Sequence, residues 1–316
     1  MTLHRNALAA LLLVIVLAGA GEGQAAALYV VCQAGAEVDV IDTDASAVTH
    51  RIAVAKGPAG IALAPDGMSA YVTHPDAGLL TRIDAARRQV AGTVRLGGQP
   101  FGVAADPASG AIYVGDWSAD RITRLDPVSL EPTGVVGVGR APAALATDPR
   151  ARRLYSADRE DDAVSIIDLA TFTRIARVAV GTAPYALDAE GDATVVAVAD
   201  VRSGDVALIG KADGSVTRIG GMRMPYGVAF VPGRRLLLVS DQQAEALHLL
   251  DPDGKETLAK VRLGGSPEGV VADRSGGRAY VAEWFANRVA VVDLETRALA
   301  TRIDVCDGPR MMVLGP

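Results

Sequence analysis

Six ionisable residues recur in this chain at one nearly constant spacing, and five of them are acids. Carboxylates that converge around an opening could hold a divalent cation, or present a negative field to a cationic ligand such as an amine. The spacing is also compatible with a structural role, in which each acid bonds a neighbouring loop or pairs with a nearby base. The series, with 42 residues between successive members and 41 at one step, is His74, Asp116, Asp158, Asp200, Asp241 and Glu283. Bases close to it in the sequence are Lys56, Arg140, Arg159, Arg202, Arg223 and Arg310.

Aromatic residues are scarce in the chain, which has 7 Tyr, 4 Phe and 2 Trp, and several of them fall beside this series. Both tryptophans directly follow an acid of the series. Aromatic rings gathered at one surface are typical of a ligand or partner site, although such rings can also do no more than cover loops. Glu268 and Arg310 directly follow a proline, as Phe101, Tyr185 and Tyr226 do. Together with the aromatic residues they form the predicted ligand-binding set: Phe101, Trp117, Tyr185, Tyr226, Trp284, Phe285, Glu268 and Arg310.

The sequence contains no motif for a catalytic centre. It has no Cys-x-x-Cys-His for covalent haem, no His-Glu-x-x-His for zinc and no serine nucleophile elbow, and its four histidines do not cluster. We therefore predict no catalytic residues and no resident metal or cofactor. A divalent cation held by the acid series, and a quinone cofactor supplied by a partner, are the alternatives.

A proline repeat shows which elements must position these residues. Seven prolines follow one another at intervals of 42 residues, with a single interval of 41. A period of 40 to 45 residues with short strands in each unit is the signature of a β-propeller blade. The prolines are Pro58, Pro100, Pro142, Pro184, Pro225, Pro267 and Pro309.

One unit of the repeat contains four short predicted strands. Residues 100–105, 111–115, 121–126 and 134–138 are mostly apolar, and Gly, Pro, Asp and Ser between them favour turns. The other units match this one position by position, so six complete units lie between residues 58 and 305. Five of the six third strands end on an aspartate that we expect to bond the following turn: Asp84, Asp126, Asp168, Asp251 and Asp293.

The two ends of the chain complement each other. Residues 28–31, 38–42 and 50–54 read as a second, third and fourth strand without a first, and residues 309–314 read as a first strand alone. The sequence therefore predicts an all-β, seven-bladed β-propeller with four-stranded blades. Its last blade is closed by the N-terminal strands and the C-terminal strand.

The only two cysteines test this closure. Cys32 falls at the end of the second strand of the split blade, and Cys306 lies three residues before Pro309, at the entry to the first strand. Adjacent strands of a blade are antiparallel, so the end of one lies beside the start of the other. We predict a Cys32–Cys306 disulfide that holds the ring closed in an oxidising compartment.

The repeats resemble the YVTN family of β-propeller repeats. The resemblance rests on strings such as Tyr71-Val72-Thr73-His74 and on openings such as Pro100-Phe101-Gly102-Val103-Ala104, and it covers essentially the whole mature chain. It implies a propeller similar to periplasmic binding propellers and to the propeller subunits of quinone-dependent amine dehydrogenases. The family often has Asn at the position of the acid series, so no role of that amide carries over to this chain.

Composition and the N-terminus indicate where the protein acts. Residues 1–27 read as a secretory signal peptide, with cleavage after about residue 20 or 26, and residues 28–316 as a single propeller domain. The formal charge of −6 argues against nucleic acid as a partner. No later stretch is apolar enough to cross a membrane. We expect a periplasmic or secreted monomer.

These patterns favour a non-catalytic binding scaffold that docks a small ligand or a protein partner at the mouth of the propeller channel. The first alternative is a propeller subunit or accessory protein of a quinone-dependent amine or alcohol dehydrogenase, whose partner supplies the redox chemistry. The second is a metal-assisted hydrolase or lactonase that uses the acid series.

Overall fold

Short apolar runs separated by turn residues form the strands of seven sheets in a computed structural model that describes residues 26–189, 194–253 and 255–315. Each sheet has four antiparallel strands and forms one blade of a ring, which confirms the predicted fold class. The predicted signal peptide lies outside the described residues except for its last two, and the first strand begins at Ala27. Within these ranges no helix has the length and apolar character that a membrane crossing requires.

The blades are numbered 1 to 7 in the order of their inner strands along the chain. The inner strands are β4 (Ile61–Leu63), β8 (Pro100–Ala105), β12 (Pro142–Asp148), β16 (Pro184–Asp188), β20 (Pro225–Phe230), β24 (Pro267–Ala272) and β28 (Pro309–Leu314). The second strands are β5 (Ser69–His74), β9 (Ile112–Asp116), β13 (Arg153–Asp158), β17 (Val195–Asp200), β21 (Leu237–Asp241), β25 (Arg278–Glu283) and β1 (Ala27–Cys32).

The third and fourth strands lie progressively further from the channel. The third strands are β6 (Leu79–Asp84), β10 (Arg121–Leu125), β14 (Ala163–Asp168), β18 (Asp205–Gly210), β22 (Ala246–Asp251), β26 (Arg288–Asp293) and β2 (Glu37–Asp42). The outer strands are β7 (Gln89–Arg95), β11 (Pro132–Gly137), β15 (Thr173–Ala179), β19 (Val216–Ile219), β23 (Glu256–Arg262), β27 (Ala298–Asp304) and β3 (Ala47–Ala53). Single 3-10 turns follow three second strands, at Pro75–Ala77, Arg159–Asp161 and Trp284–Ala286.

The ring is closed as the sequence predicts. Blade 7 has the strand order β28-β1-β2-β3, so the last strand of the chain pairs with the first, with Tyr29 opposite Val313. Cys32 and Cys306 form a disulfide between Cα atoms 5.7 Å apart, across 274 residues of sequence. The inner strand β28 also contacts β4 of blade 1, which completes the ring around the channel.

Neighbouring blades pack through tyrosines that recur at one position of the second strand. Tyr71 is 2% exposed, and its hydroxyl donates a hydrogen bond to the carbonyl oxygen of Pro127 in the next blade at 3.1 Å. The ring of Tyr113 stacks on Phe172 of blade 3 at a centroid distance of 5.7 Å. Each such ring buries apolar area between two sheets, which is how a ring of thin blades acquires a core.

The third-strand aspartates act as turn caps, as predicted. Asp126 Oδ1 accepts hydrogen bonds from the backbone N–H groups of Val128 and Ser129, at 2.9 and 2.8 Å. The corresponding contacts recur at Asp168 and Asp293. These carboxylates fix the turns on the face opposite the one described next.

Candidate functional site

One face of the ring gathers the residues that directly follow the seven repeat prolines. The register places each second-strand end beside the start of its inner strand; Pro100, for example, lies opposite Asp116, and Pro225 lies opposite Asp241. Both the acid series and the inner-strand entries therefore lie at the same end of the channel. We call this end the mouth and define it by the seven residues Ala59, Phe101, Ala143, Tyr185, Tyr226, Glu268 and Arg310.

Glycines in the inner strands bring these residues close together. A Cβ on Gly269 would lie 2.4 Å from the carbonyl oxygen of Arg310, and one on Gly227 would lie 2.4 Å from the carbonyl oxygen of Glu268. Real Cβ atoms do not approach oxygen so closely, so only glycine permits this packing of neighbouring inner strands. The glycine repeat thus sets the small diameter of the mouth, across which long side chains can reach one another.

Arg310 reaches across the mouth from blade 7 to blades 4 and 5. Its Nη2 donates hydrogen bonds to the hydroxyls of Tyr185 and Tyr226, the latter at 2.9 Å. Its Nη1 donates to Oε1 of Gln33 at 2.7 Å. Only 13% of the Arg310 side chain is exposed, so the guanidinium is held in a fixed position by three polar partners from three blades.

Aromatic rings enclose this guanidinium. Its central carbon lies 5.3 Å from the ring centroid of Phe101, 5.9 Å from that of Tyr185 and 5.7 Å from that of Trp284. The rings also contact one another, with centroids 4.3 Å apart for Tyr185 and Tyr226 and 5.0 Å apart for Phe101 and Trp117. A cation surrounded by ring faces is stabilised by their quadrupoles, and most strongly where water is excluded.

Glu268 is the acid that faces Arg310, but the two do not form a hydrogen bond. Arg310 Nε lies 3.6 Å from Glu268 Oε2, and both atoms are buried without a hydrogen-bond partner among the described residues. The other carboxylate oxygen accepts a bond from Gln242 Nε2 at 3.0 Å. Burial raises the pKa of Glu268 to about 7, although the Arg310 charge and the Gln242 amide act in the opposite direction. Burial likewise raises the pKa values of Tyr185 and Tyr226, so their hydroxyls stay neutral.

The acid series lies beneath the loops of this face. The oxygens of Asp116, Asp158 and Asp200 accept backbone N–H groups of the preceding inter-blade loops, at 2.9, 3.0 and 2.9 Å. Asp241 accepts two such N–H groups, and Glu283 pairs with Arg302 at 3.0 Å. This arrangement is the structural role that the spacing also allowed: the four aspartates are directed at their own loops, and Glu283 is directed at an arginine of the outer strand β27. His74 is buried as well and bonds Thr81 at 3.0 Å.

The residue seven positions after the acid differs between blades, and in two blades it is a partner of the carboxylate. Ser165 donates to Asp158 at 2.5 Å, and His248 lies 3.2 Å from Asp241. Asp200 has Ala207 at this position, and burial raises the pKa of Asp200 to about 8. For Asp241, burial is outweighed by His248 and by three backbone N–H groups, which bring its pKa to about 2.

The structure brings together seven of the eight residues of the predicted ligand-binding set. Phe285 stands apart, because it lies in the 3-10 turn after β25 and is 80% exposed. Sequence reasoning missed Gln33 and Gln242, which bond Arg310 and Glu268. Both directly follow the second strand of their blade, which is the repeat position that the tryptophans occupy in blades 2 and 6. This shared repeat position is the sequence signal that identifies them. Arg159, at the same repeat position in blade 3, lies 5.7 Å from the centroid of Trp117.

Two further features lie outside the mouth. Asp39 Oδ2 accepts the backbone N–H of Cys306 at 2.9 Å, which places a buried carboxylate against the disulfide. Three residues of metal-ligating types, Cys32, Asp39 and Cys306, thus meet there, but the two sulfurs are bonded to each other. On the opposite face, a cleft of about 430 Å³ between blades 6 and 7 is lined by polar residues that include Asp44, Asp273 and Arg274.

Comparison with known proteins places the chain among propellers. The model of the family described as YNCE-like beta-propeller matches residues 7–314. A search of curated proteins finds no match.

Three solved structures illustrate the similarity to known proteins. Kuenenia stuttgartiensis hydrazine synthase aligns with 21% identity and a TM-score of 0.76, over 84% of this chain and 92% of that one. Dihydro-heme d1 dehydrogenase NirN, in complex with DHE, aligns with 15% identity and a TM-score of 0.71, over 91% of this chain and 74% of that one. A functionally unknown protein from Desulfotomaculum acetoxidans DSM 771 aligns with 10% identity and a TM-score of 0.79, over 92% and 98%. At these identities the likeness shows the fold.

Proposed function

Because the chain belongs to the YNCE-like β-propeller family, we propose that it is a binding scaffold that docks a small ligand at the mouth of its channel. The protein holds the ligand and does not transform it. The observation that carries this proposal is the cluster around Arg310, whose guanidinium contacts four aromatic residues, Gln33 and Glu268. Trp117 and Gln242 extend this cluster, because they contact Phe101 and Glu268.

The cluster has the composition of a binding site. Tryptophan, tyrosine and arginine are the residue types that dominate binding energy in proteins, because they combine large apolar area with directed hydrogen bonds. Phe101, Trp117 and Trp284 are half-buried, so part of each ring faces solvent at the mouth. A chain with 13 aromatic residues, 7 Tyr, 4 Phe and 2 Trp, places five of them in this one cluster.

The acid series supports the site by holding its loops. A metal-assisted hydrolase would need carboxylates that converge on one ion. The four aspartates instead bond separate inter-blade loops and Glu283 pairs with Arg302, so the geometry does not favour the hydrolase that the sequence left as an alternative.

We also propose that the protein acts in the periplasm or outside the cell. The disulfide supports this location, because disulfides persist in oxidising compartments and are rare where thiols are kept reduced.

The test uses protein purified from its native host and analysed by native mass spectrometry. Three forms are compared: wild type, the double variant Trp117→Ala/Trp284→Ala, and the control Val128→Ala. Val128 is 77% exposed and lies in a turn on the opposite face. The expected result is a small molecule retained by wild type and by the control, and lost from the double variant. Equal retention in all three forms would contradict a site at the mouth. A coloured dehydrogenase subunit that co-purifies only when the tryptophans are intact would favour the redox-partner alternative.

A further inference from the structure

The ion pair between Arg310 and Glu268 at the mouth is not hydrogen-bonded, and its geometry indicates which class of ligand the mouth binds. The inference rests on the proposed function. Glu268 is 6% exposed, and its Oε2 faces Arg310 Nε at 3.6 Å, with neither atom hydrogen-bonded among the described residues. Buried polar atoms are normally satisfied, so two such atoms facing each other in one cluster suggest a site that is completed by a further group.

A cationic ligand does not suit this arrangement. The centre of the aromatic cage, where the positive charge of an amine would be stabilised, is already occupied by the guanidinium of Arg310. Four of the acids that could have attracted an amine bond backbone N–H groups instead. An amine would have to displace an arginine that is held by Gln33, Tyr185 and Tyr226.

An anionic ligand suits it better. Arg310 uses three of its five N–H groups for hydrogen bonds within the described residues, to Gln33, Tyr185 and Tyr226. Of the other two, the N–H on Nε is buried and faces Glu268 Oε2 at ion-pair distance. A carboxylate or phosphate that accepts this N–H would form the charge-assisted bond that Glu268 does not make. The half-buried faces of Phe101, Trp117 and Trp284 would pack against a flat apolar body attached to that anion.

We propose that the mouth binds an organic anion with a flat apolar body, whose carboxylate or phosphate pairs with Arg310 while Glu268 takes up one proton from solvent. Two carboxylates beside one guanidinium repel each other, and protonation of the buried one removes that repulsion. In this equilibrium, the free protein with ionised Glu268 binds one anionic ligand and one proton. The product is a complex in which Glu268 is neutral.

The environment of Glu268 makes this proton uptake accessible near neutral pH. The groups that face it are Arg310 from β28, Gln242 from the loop after β21, and the hydroxyls of Tyr185 and Tyr226 from β16 and β20. Its pKa of about 7 in the free protein means that the neutral form predominates at pH 6 and the ionised form at pH 8. The affinity for an anion should therefore fall about tenfold between these two pH values.

The experiment is calorimetric titration with four probes that share one ring: benzoate, phenyl phosphate, benzylamine and benzyl alcohol. We expect binding of benzoate or phenyl phosphate, and weaker or no binding of benzylamine and benzyl alcohol. Benzoate should bind about tenfold tighter at pH 6 than at pH 8. Benzoate reports the pH dependence, because the second ionisation of a phosphate monoester itself falls near about pH 6. Preference for benzoate or for phenyl phosphate assigns the head group. Buffers with different ionisation enthalpies should report uptake of a proton at pH 8. Tighter binding of benzylamine, or binding of none of the probes, would overturn the inference.

Three variants locate the effect. Glu268→Gln should bind the anion at pH 8 as tightly as wild type does at pH 6, without pH dependence, whereas the control Asp76→Asn, an exposed acid on the same face, should behave as wild type. Glu268→Gln/Arg310→Met, a neutral pair of similar volume, should keep its fold by circular dichroism and lose anion binding. Unchanged binding in this double variant would refute a role for Arg310. Retention of a cationic or neutral host molecule by the native protein would contradict the anion inference and leave the binding function intact.

Discussion

Arg310 and Tyr226 meet across the mouth although they belong to blades 7 and 5. Nη2 of Arg310 donates to the Tyr226 hydroxyl at 2.9 Å, from a strand that begins only one residue earlier, at Pro309. The C-terminal strand is thus tied to the ring twice: at its entry by the disulfide between Cys306 and Cys32, and at the channel by Arg310. Closure of the ring and construction of the candidate site therefore depend on the same short segment.

Removal of Arg310 should destabilise the protein in a pH-dependent way. Arg310→Met leaves Glu268 buried without its positive partner, and breaking a buried pair in this way costs about 3 kcal/mol. The loss should be larger at pH 8 than at pH 6, because the pKa of Glu268 is raised by burial and its neutral form is less costly to bury. Urea unfolding at pH 6 and at pH 8 measures the loss of unfolding free energy and its dependence on pH. The double variant Glu268→Gln/Arg310→Met should recover part of the loss at pH 8, and an equal loss in the single and double variants would contradict the pairing.

Reduction of the disulfide should lower the free energy of unfolding. The Cys32–Cys306 link closes 274 residues, and the chain-entropy relation predicts a contribution of up to about 5 kcal/mol for so long a loop. Denaturation with and without a dithiol reductant checks this, and Cys32→Ser/Cys306→Ser should behave as reduced wild type under both conditions. Equal unfolding midpoints for the oxidised and reduced forms would show that the link does not hold the ring.

Substitution of a single inner-strand glycine should be costly. Gly269→Ala places a Cβ 2.4 Å from the Arg310 carbonyl oxygen and must push β24 and β28 apart, at about 1–3 kcal/mol. Gly92 on the outer strand β7 is the matched control, because no heavy atom lies within 4 Å of its Cβ position. Gly92→Ala should leave stability unchanged or raise it by up to about 1 kcal/mol. Equal effects of the two substitutions would refute the close approach of the inner strands.

Two acids at the same repeat position should respond oppositely to removal of their charge. Burial raises the pKa of Asp200 to about 8, so the folded state retains a proton that the unfolded state has released, and stability falls as pH rises from about 4 towards 8. Asp200→Asn keeps an acceptor for Gly181 N–H and should stabilise the protein at pH 8, by on the order of 2 kcal/mol.

Asp241 is the control, since its pKa of about 2 lies below its value in the unfolded chain. Its ionised form stabilises the fold above about pH 4, and this contribution is lost as the pH falls towards 2. Asp241→Asn should therefore destabilise the protein at pH 8. Thermal unfolding of both variants across this pH range measures the effect, and a shift of the same sign in both would contradict the assigned environments.

The architecture could be predicted because it repeats. The repeated proline, at intervals of 42 residues with one of 41, gives each residue a position within its blade. The positions of Cys32 and Cys306 near the ends of adjacent strands are enough to place the two cysteines side by side. Repeat positions likewise brought Phe101, Tyr185 and Arg310 to one face. Main-chain register determines all of this, and register follows from strand length and turn position.

The interior of the site could not be predicted in the same way. Repeat positions do not give the direction of a long side chain, so the reach of Arg310 to Tyr185 and Tyr226 is visible only in the structure. Residues at the same repeat position can also differ in their ionisation. Asp200 and Asp241 occupy the same position of the repeat, but their partners in β18 and β22 differ, and their pKa values are about 8 and about 2. Phe285 follows Trp284 in sequence, but the 3-10 turn directs it to solvent.

The most direct test of the proposed mouth site uses the two tryptophans of the chain, Trp117 and Trp284, as reporters. Both indoles lie at the mouth, so protein labelled with 5-fluorotryptophan should give two fluorine resonances, both from this surface. The compound released from protein purified from its native host is titrated into the labelled protein. A site at the mouth predicts that both resonances shift and saturate with the same affinity. Saturable binding that leaves both resonances unmoved would contradict it.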